Sequence, residues 1–292
     1  MRAARGLIAF PAFLLWGGLL MAALVLAWLW AHGKYRQRMA EAEAVWAKIA
    51  ARTAPAATVF TPELVAGLPE IAQRYFLHAI APGTPLSTLV EIRMQGRFRL
   101  GGQDKFREFT LHARQILAPP DAFVWLPVMR SGPLVVTGSD GLIDGKAWTR
   151  FWLLGSIPLV QTAGTEDLRR AALARPVLEA IWVPASLLPQ NGARWEQAGP
   201  DEARIVCNAD GVPVELQMAL APDGRVLSVS TLRWSDANPG QVFRFQPFGG
   251  RLQEEAVFGG FTIPSVVEVG NQFGTPGYFP FFLATITAAS YR

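Results

Sequence analysis

An uncharged apolar run near the N-terminus constrains this chain most. Leu7–Ala31 holds 25 residues without a charge, between Arg5 and His32. Because a bilayer core needs about 20 apolar residues in a helix, the run can span a membrane with some tilt. It is longer than the roughly 7–15 apolar residues of a secretory signal, and no small-residue cleavage site follows it. We therefore predict a transmembrane anchor over residues 1–32, with a cleaved signal peptide as the alternative.

The basic residues around the run leave its orientation open. Arg2 and Arg5 precede it, whereas Lys34, Arg36 and Arg38 follow it. Counted literally, the positive-inside rule favours a cytoplasmic C-terminal domain, but long domains translocate largely regardless of charge. We expect the domain to be extracytoplasmic, with the opposite orientation as the alternative.

The segment after the anchor is rich in helix formers. Residues 34–52 are mostly Ala, Glu, Arg and Lys, which favour a helix. Pro55 then interrupts the pattern. We predict a juxtamembrane helical stalk over residues 33–57, continuing the membrane helix and surrounded by solvent, with contact of its basic residues to anionic headgroups as the alternative.

Further along, apolar and polar residues alternate with a period of two. In Val90–Leu100 and Phe106–Ala118 every second residue is apolar, and a Gly-Gly-Gln-Asp turn separates the two segments. Such alternation predicts antiparallel strands with one buried face. Further strands are predicted at 122–129, 134–138, 142–143, 147–154, 203–209, 212–221, 226–234, 242–248, 251–258, 261–269 and 281–291.

Helical signals occur twice within the predicted domain, residues 58–292: once before the strands and once as an insertion among them. Thr61-Pro62-Glu63 and Leu68-Pro69-Glu70 place proline at a first helical position, so we predict helical structure over about 62–80. Thr165-Glu166-Asp167 starts a second segment over about 165–188, in which Pro176 bends or restarts the helix. The predicted fold class is therefore α+β: an N-terminal transmembrane helix, then a curved antiparallel β half-barrel with a helical insertion.

Several functional classes lack support in the sequence. The net charge is +4, but the basic residues are scattered singly, which argues against nucleic acid as a partner. Cys207 is the only cysteine, and His32, His78 and His112 are far apart, so no metal site is predicted. No phosphate-binding glycine motif or nucleophile elbow is present. We predict no cofactor.

One helical face carries the best polar candidates. Arg175, Glu179 and Trp182 fall at i, i+4 and i+7, which combines an ion pair with an aromatic ring. The pair could simply fix the helix on the sheet. Alternatively, Arg175 could receive an anionic headgroup. A third hypothesis makes Glu179 and His112 an acid–base pair, with Asp140 nearby.

The chain is also rich in aromatic residues, with 10 Trp and 18 Phe. Most of them are expected to fill the core, but a surplus would line an apolar pocket. Trp125, Trp148, Trp152 and Trp182 are the candidates for such a lining.

The insertion also carries a recognisable signature. Its Arg175, Glu179, Trp182 and Pro184, followed by Leu187-Leu188-Pro189 and Trp195, resemble an uncharacterised bacterial family of membrane-anchored proteins, a domain of unknown function. Other matching stretches are Leu68-Pro69 with Tyr75, Phe123–Trp125, Asp140 with Asp144-Gly145, Phe258–Gly260 and Pro264. Pro176 departs from the pattern, because it stands where the family has an aromatic residue. The resemblance implies the bacterial inner membrane and no particular reaction.

A looser likeness of fold links the predicted architecture to the half-barrels of LolA- and LppX-like lipoprotein carriers. Those folds hold acyl chains in an apolar cup partly covered by helices, and the analogy extends to fold alone. Our leading hypothesis is a membrane-anchored, non-catalytic binding protein for a lipid or another apolar ligand. The alternatives are an envelope protein–protein interaction or assembly module and, third, an enzyme using Glu179 and His112. The predicted ligand-binding residues are Arg175, Glu179, Trp182, Trp125, Trp148, Trp152 and His112.

Overall fold

The computed structural model describes residues 12–52 and 58–292. The two N-terminal arginines, the first five residues of the apolar run and the predicted break at Pro55 lie outside the described residues. Three α-helices occur in the described part of the chain: α1 Ala12–Ala50, α2 Glu70–Ala79 and α3 Glu166–Leu178.

Helix α1 continues without a break from the apolar run into the predicted stalk. By length and composition, its segment Trp16–Ala50 contains enough apolar sequence to cross a membrane. The prediction that the stalk is surrounded by solvent is wrong. Ala42 and Ile49 are buried against the domain, with Met39 and Trp46 beside them. These four residues are three or four positions apart, so they form one apolar stripe along the helix.

In both predicted helical segments the α-helix is shorter than expected, and 3-10 turns make up part of the rest. Before α2 lies a single 3-10 turn, Pro62–Leu64. At the insertion, Thr165 caps α3 by accepting a hydrogen bond from the Leu168 N–H at 3.2 Å. Pro176 lies inside α3 and does not restart it, and α3 ends at Leu178. The chain then continues as three 3-10 turns, two of which begin at a proline: Glu179–Trp182, Pro184–Leu187 and Pro189–Asn191.

The described residues form thirteen strands in one antiparallel sheet. The first six are β1 Val90–Gly101, β2 Phe106–Ala118, β3 Ala122–Ser131, β4 Leu134–Ile143, β5 Lys146–Leu153 and β6 Ile157–Ala163. The others are β7 Arg194–Gln197, β8 Glu202–Ala209, β9 Val212–Leu220, β10 Val226–Ser235, β11 Arg244–Phe258, β12 Phe261–Asn271 and β13 Phe279–Tyr291.

The sheet consists of two meanders joined at its centre. Strands β1 to β6 run outward in one direction and β13 to β7 in the other, with β1 paired to β13. The edge strands are therefore β6 and β7, and the insertion that begins with α3 connects them. Helix α3 packs against β4 and β5 of one arm and against β8, β9 and β10 of the other. The sheet must curve for one helix to contact both arms.

Glycines accompany the curvature. A Cβ atom at Gly249 or Gly250 of β11 would collide with the backbone of the neighbouring strands at Val229 and Glu268. Only glycine permits this close approach. The α+β half-barrel with an N-terminal apolar helix and a helical insertion is thus confirmed.

The two faces of the sheet have different partners. The insertion covers the concave face, where the main apolar core lies. The second half of α1 packs on the convex face, against β2, β3 and β4. Because side chains alternate along a strand, each strand contributes to both environments.

Candidate functional site

A cavity lies between the insertion and the concave face. Its volume is about 260 Å³. The insertion contributes Arg175, Leu178, Glu179, Ile181 and Trp182. Both arms of the sheet supply the rest, mostly apolar: Phe98, Trp125, Asp140, Thr149, Phe151, Val229, Arg233, Phe248, Leu252, Val267, Val269, Phe281 and Phe282.

Arg175 is held by acceptors on three elements. Its Nε donates to Glu179 Oε1 at 2.7 Å, one turn along the insertion. Its Nη1 donates to Asp140 Oδ2 on β4 at 2.6 Å, and its Nη2 to Gln115 Oε1 on β2 at 3.2 Å. The guanidinium also lies over the Phe123 ring, 4.6 Å from its centroid. Each nitrogen of Arg175 therefore already has an acceptor.

The acceptors are themselves bonded. Gln115 Nε2 donates to Glu179 Oε2 at 2.5 Å, and Thr149 Oγ1 donates to Asp140 Oδ1 at 2.7 Å. Burial alone would lower the pKa of Arg175, but the adjacent Glu179 and Asp140 carboxylates outweigh it and raise the pKa. The cluster is a satisfied, largely buried ion-pair network that fastens α3 to the sheet.

Arg233, on β10, lines the same cavity but has fewer hydrogen-bond partners than Arg175. Its Nε donates to the Ala171 carbonyl at 3.3 Å, and its guanidinium lies 4.8 Å from the centroid of Phe248. Burial lowers its pKa. Among the described residues, no carboxylate oxygen lies within 4.0 Å of its nitrogens.

Sequence reasoning missed Arg233, although β10 carries a signal. Val229 and Thr231 are buried on the concave side, and the same parity puts Arg233 there too. Leu232 points the other way and is 63% exposed. Here the usual arrangement of apolar inward and charged outward is reversed. A reversed pair of this kind within a regular strand indicates a functional constraint.

Four of the seven predicted ligand-binding residues line the cavity: Arg175, Glu179, Trp182 and Trp125. Trp182 Nε1 donates to the Pro264 carbonyl at 3.0 Å, and the Trp182 carbonyl accepts from Tyr291 Oη at 3.0 Å. Trp182 therefore also anchors the insertion. The Trp125 indole N–H is buried and has no acceptor among the described residues.

The prediction that Trp148, Trp152 and His112 join this site is wrong, because they lie on the convex face. Trp148 belongs to the cluster packed on α1, and its Nε1 donates to Ser139 Oγ at 3.0 Å. The Trp152 ring meets Tyr35 of α1, with centroids 5.3 Å apart. Strand parity is the cause, since Thr149 and Phe151 point into the cavity and their even-numbered neighbours point away.

His112 has the same outward parity on β2, where it is exposed, whereas Gln115 points inward. The sheet therefore separates His112 from Glu179, and the hypothesised acid–base pair is not assembled. Elsewhere His78 pairs with Glu255 at 2.8 Å, and burial raises the pKa of the Cys207 thiol to about 11. Within residues 12–52 and 58–292, no group of three His, Cys, Asp or Glu side chains is placed to hold a metal ion.

The profile of a protein family of unknown function, DUF6544, matches residues 58–283. The chain belongs to this family. The match spans α2, the insertion and the cavity walls from β1 to β13, so the Arg175 network lies inside the DUF6544 region. No curated protein matches the chain.

Three solved structures resemble this DUF6544 chain. A LolA superfamily protein from Nitrosomonas europaea is 10% identical, with a TM-score of 0.35 over 76% of this chain and 92% of that one. A putative outer membrane lipoprotein-sorting domain from Vibrio parahaemolyticus is 7% identical, with a TM-score of 0.33 over 79% and 92%. A DUF1329 family protein from Desulfovibrio piger is 11% identical, with a TM-score of 0.34 over 76% and 90%. At this distance the likenesses carry no functional argument.

Proposed function

We propose that this DUF6544 protein is a membrane-anchored, non-catalytic binding protein that holds a lipid or another apolar molecule in the cavity beneath the insertion. The cavity is the observation that carries the proposal. Protein interiors are packed almost without voids larger than one water, whose share of liquid volume is about 30 Å³. A space of about 260 Å³ is far larger, and it approaches the roughly 300–1,000 Å³ of ligand pockets.

The composition of the walls favours an apolar occupant. Five phenylalanines and two tryptophans line the cavity together with aliphatic residues. Apart from Arg233, the polar groups are gathered at Arg175, Asp140, Glu179 and Thr149, and those satisfy one another. A ligand therefore meets mostly hydrocarbon, and burial of its own apolar surface supplies the binding energy.

Continuity of α1 favours an anchor over a cleaved signal. The helix runs from Ala12 to Ala50, and its last turns are packed on the domain through Ala42 and Ile49. Cleavage after the apolar run would cut inside this continuous helix. We therefore extend the proposal to a single-pass protein of the bacterial inner membrane, with its domain outside the cytoplasm.

An envelope interaction module is the competing proposal. It requires a filled core and an exposed apolar patch, and the edge strand β6 does expose apolar side chains. The cavity argues against it as the main function, because a module that binds only through its surface gains nothing from a space inside the domain.

Filling the cavity tests the proposal. Val269→Phe adds a ring to a cavity-lining position, and Val257→Phe adds the same ring to an exposed one. We expect added palmitic acid to raise the melting temperature of the full-length protein in detergent, since a ligand at about 100 times its Kd stabilises by about 2.7 kcal/mol. The shift should vanish in Val269→Phe and persist in Val257→Phe. Equal shifts in both variants, or none in the parent chain, would contradict the proposal.

A further inference from the structure

The cavity wall holds two arginines whose donors are used differently. All three nitrogens of Arg175 donate to side-chain acceptors, so an incoming anion would have to displace Glu179, Asp140 or Gln115. Arg233 makes one hydrogen bond, from Nε to the Ala171 carbonyl. Its two terminal nitrogens have no acceptor among the described residues.

The surroundings of Arg233 make its unbonded terminal nitrogens energetically costly unless a ligand supplies acceptors. The guanidinium is partly buried and stacks on Phe248. Asp140, Glu179 and Asp236 attract it only through space, and the charge of Arg175 repels it. Asp140 and Glu179 are already engaged by Arg175. A partly desolvated cation with no directly bonded carboxylate gains from an anion that brings hydrogen-bond acceptors.

We propose that Arg233 receives the anionic headgroup, a carboxylate or a phosphate, of an acyl-chain ligand whose tail occupies the cavity. This rests on the proposed lipid-binding function and replaces Arg175 as the predicted headgroup residue. The unpaired indole N–H of Trp125, on another wall of the same cavity, is a second donor that a polar ligand atom could satisfy after a small shift.

Three probes with the same chain length separate the head from the tail: palmitic acid, its neutral analogue hexadecanol, and palmitoyl lysophosphatidic acid. Native mass spectrometry of the full-length protein released from non-ionic detergent measures the fraction bound. We expect an anionic probe to bind about tenfold or more tightly than hexadecanol, as charge-assisted hydrogen bonds imply. The stronger of the two anions identifies the head as carboxylate or phosphate.

Substitutions then assign the preference to one residue. Arg233→Gln should bind hexadecanol as before and lose the preference for the anion, whereas Arg233→Lys should keep most of it. Arg130→Gln removes an exposed arginine from β3 and should change nothing. Equal binding of the charged and neutral probes by the parent chain, or a preference that survives in Arg233→Gln, would overturn the proposal. If no probe binds at all, the lipid-binding function itself fails.

A second, independent observation concerns the hairpin of β5 and β6. Its turn meets α1 one residue past the end of the apolar run, where His32 Nδ1 donates to the Gly155 carbonyl at 3.0 Å. Rings of α1 stack along this contact: the Trp28 and His32 centroids lie 5.4 Å apart. Every residue of β6 is exposed, and the strand bears no charge. The turn and strand expose Leu154, Ile157, Leu159 and Val160 by 56, 52, 50 and 40%.

We infer that this hairpin lies in the headgroup region of the bilayer that α1 enters, which rests on the proposed anchor. Edge strands are normally protected by charge, proline or a cover. Charge is missing here, and Pro158 removes one donor needed to pair with a strand of another protein. Since α1 brings the membrane surface to the turn, the bilayer interface is the cover at hand. Unpaired backbone groups exclude the hydrocarbon core itself.

Depth-dependent quenching tests this placement in the full-length protein. A fluorophore is attached to Leu159→Cys in a Cys207→Ser background, in vesicles of phosphatidylcholine and phosphatidylglycerol. Spin-labelled lipids should quench it several-fold more than the same label at Val257→Cys, which is exposed in β11 near the turn to β12, at the opposite end of the sheet.

A label at Ala23→Cys reports on the anchor. Quenching at position 23 without quenching at 159 would overturn the hairpin proposal and leave the anchor intact. A label at 159 that is shielded from water but not quenched by lipid would indicate a protein partner, which also overturns it. No quenching at either position would overturn the anchor itself.

Discussion

The concave and convex faces of the sheet both carry ion pairs, but in different surroundings. On the concave face, Arg175 and its two carboxylates are largely buried and joined by Gln115 and Thr149. On the convex face, Lys48 of α1 and Arg52, just past its end, reach Asp144 at 2.5 and 2.7 Å, with Lys48 and Asp144 about half exposed. Because the distances are similar, burial rather than distance decides what such a contact contributes to stability.

The largest expected effect comes from breaking the concave network. Arg175→Met leaves Glu179 and Asp140 largely buried without the cation that is hydrogen-bonded to both, so we expect a loss of about 3–5 kcal/mol in the free energy of unfolding. Denaturant titration of the full-length protein measures it. Arg150→Met removes a similarly buried arginine on the convex face, but its partner Glu41 is 40% exposed and keeps Arg38, so this change should cost much less.

A compensating variant sharpens this test. Changing Glu179→Gln and Asp140→Asn together with Arg175→Met removes the unpaired charges, so part of the lost stability should return. If Arg175→Met lowers the free energy of unfolding no more than Arg150→Met does, the buried network does not stabilise the fold as proposed. The same follows if the compensating changes restore no stability.

The next largest effect concerns packing of α1 on the convex face. Ile49→Ala removes a fully buried side chain from the apolar stripe, and we expect a cost of about 2–4 kcal/mol. Ala47→Ser, at an outward position of the same helix, serves as the control. A stalk that was only solvated would show the same stability in both variants.

A smaller effect is expected from the exposed pairs that accompany this packing. Lys48→Ala should cost about 0.2–1 kcal/mol, and the difference from the parent chain should shrink as salt screens the charge. Unfolding curves at low and high salt measure it. A loss of stability larger than that of Ile49→Ala, or one that does not change with salt, would contradict the view that this pair is a weak, exposed contact.

The smallest effect is the pH dependence of Asp144. The Lys48 ammonium, through a hydrogen bond and its charge, and Arg52 lower the pKa of this carboxyl below its ordinary value of 3.8. Its stabilising contribution is therefore present above that value and is lost as the pH falls through the lowered pKa. Asp144→Asn should be slightly less stable than the parent at neutral pH, and the two should converge in strong acid. A stability difference between the two proteins that stays the same at every pH would contradict a contribution from the ionised Asp144 carboxylate.

Sequence patterns predicted much of the architecture and one ion pair of the candidate site. Alternation over Val90–Leu100 and Phe106–Ala118 predicted the central hairpin, and i, i+4 spacing predicted the Arg175–Glu179 pair. Which face of β5 points inward depends on where the strand begins and how it pairs, which alternation alone does not determine. For that reason Trp148 and Trp152 were assigned to the wrong face.

Two features that were not predicted nevertheless have a signal in the sequence. The stripe of Met39, Ala42, Trp46 and Ile49 has helical spacing and predicts a buried face, although the charged residues between them suggest a solvated helix. Arg233 beside Leu232 reverses the polarity expected in β10. The partners of Arg175 on β2 and β4 could not be predicted, because they come from distant parts of the chain that meet only when the sheet curves.

Native mass spectrometry of the full-length protein, purified from its own membrane in mild detergent, tests whether the cavity holds a ligand. We predict a bound apolar molecule that leaves only when the protein unfolds, and that is absent from Val269→Phe but present in Val257→Phe. A mass without any adduct in the parent chain, unchanged after phospholipid or palmitic acid is added, would contradict a ligand in the cavity.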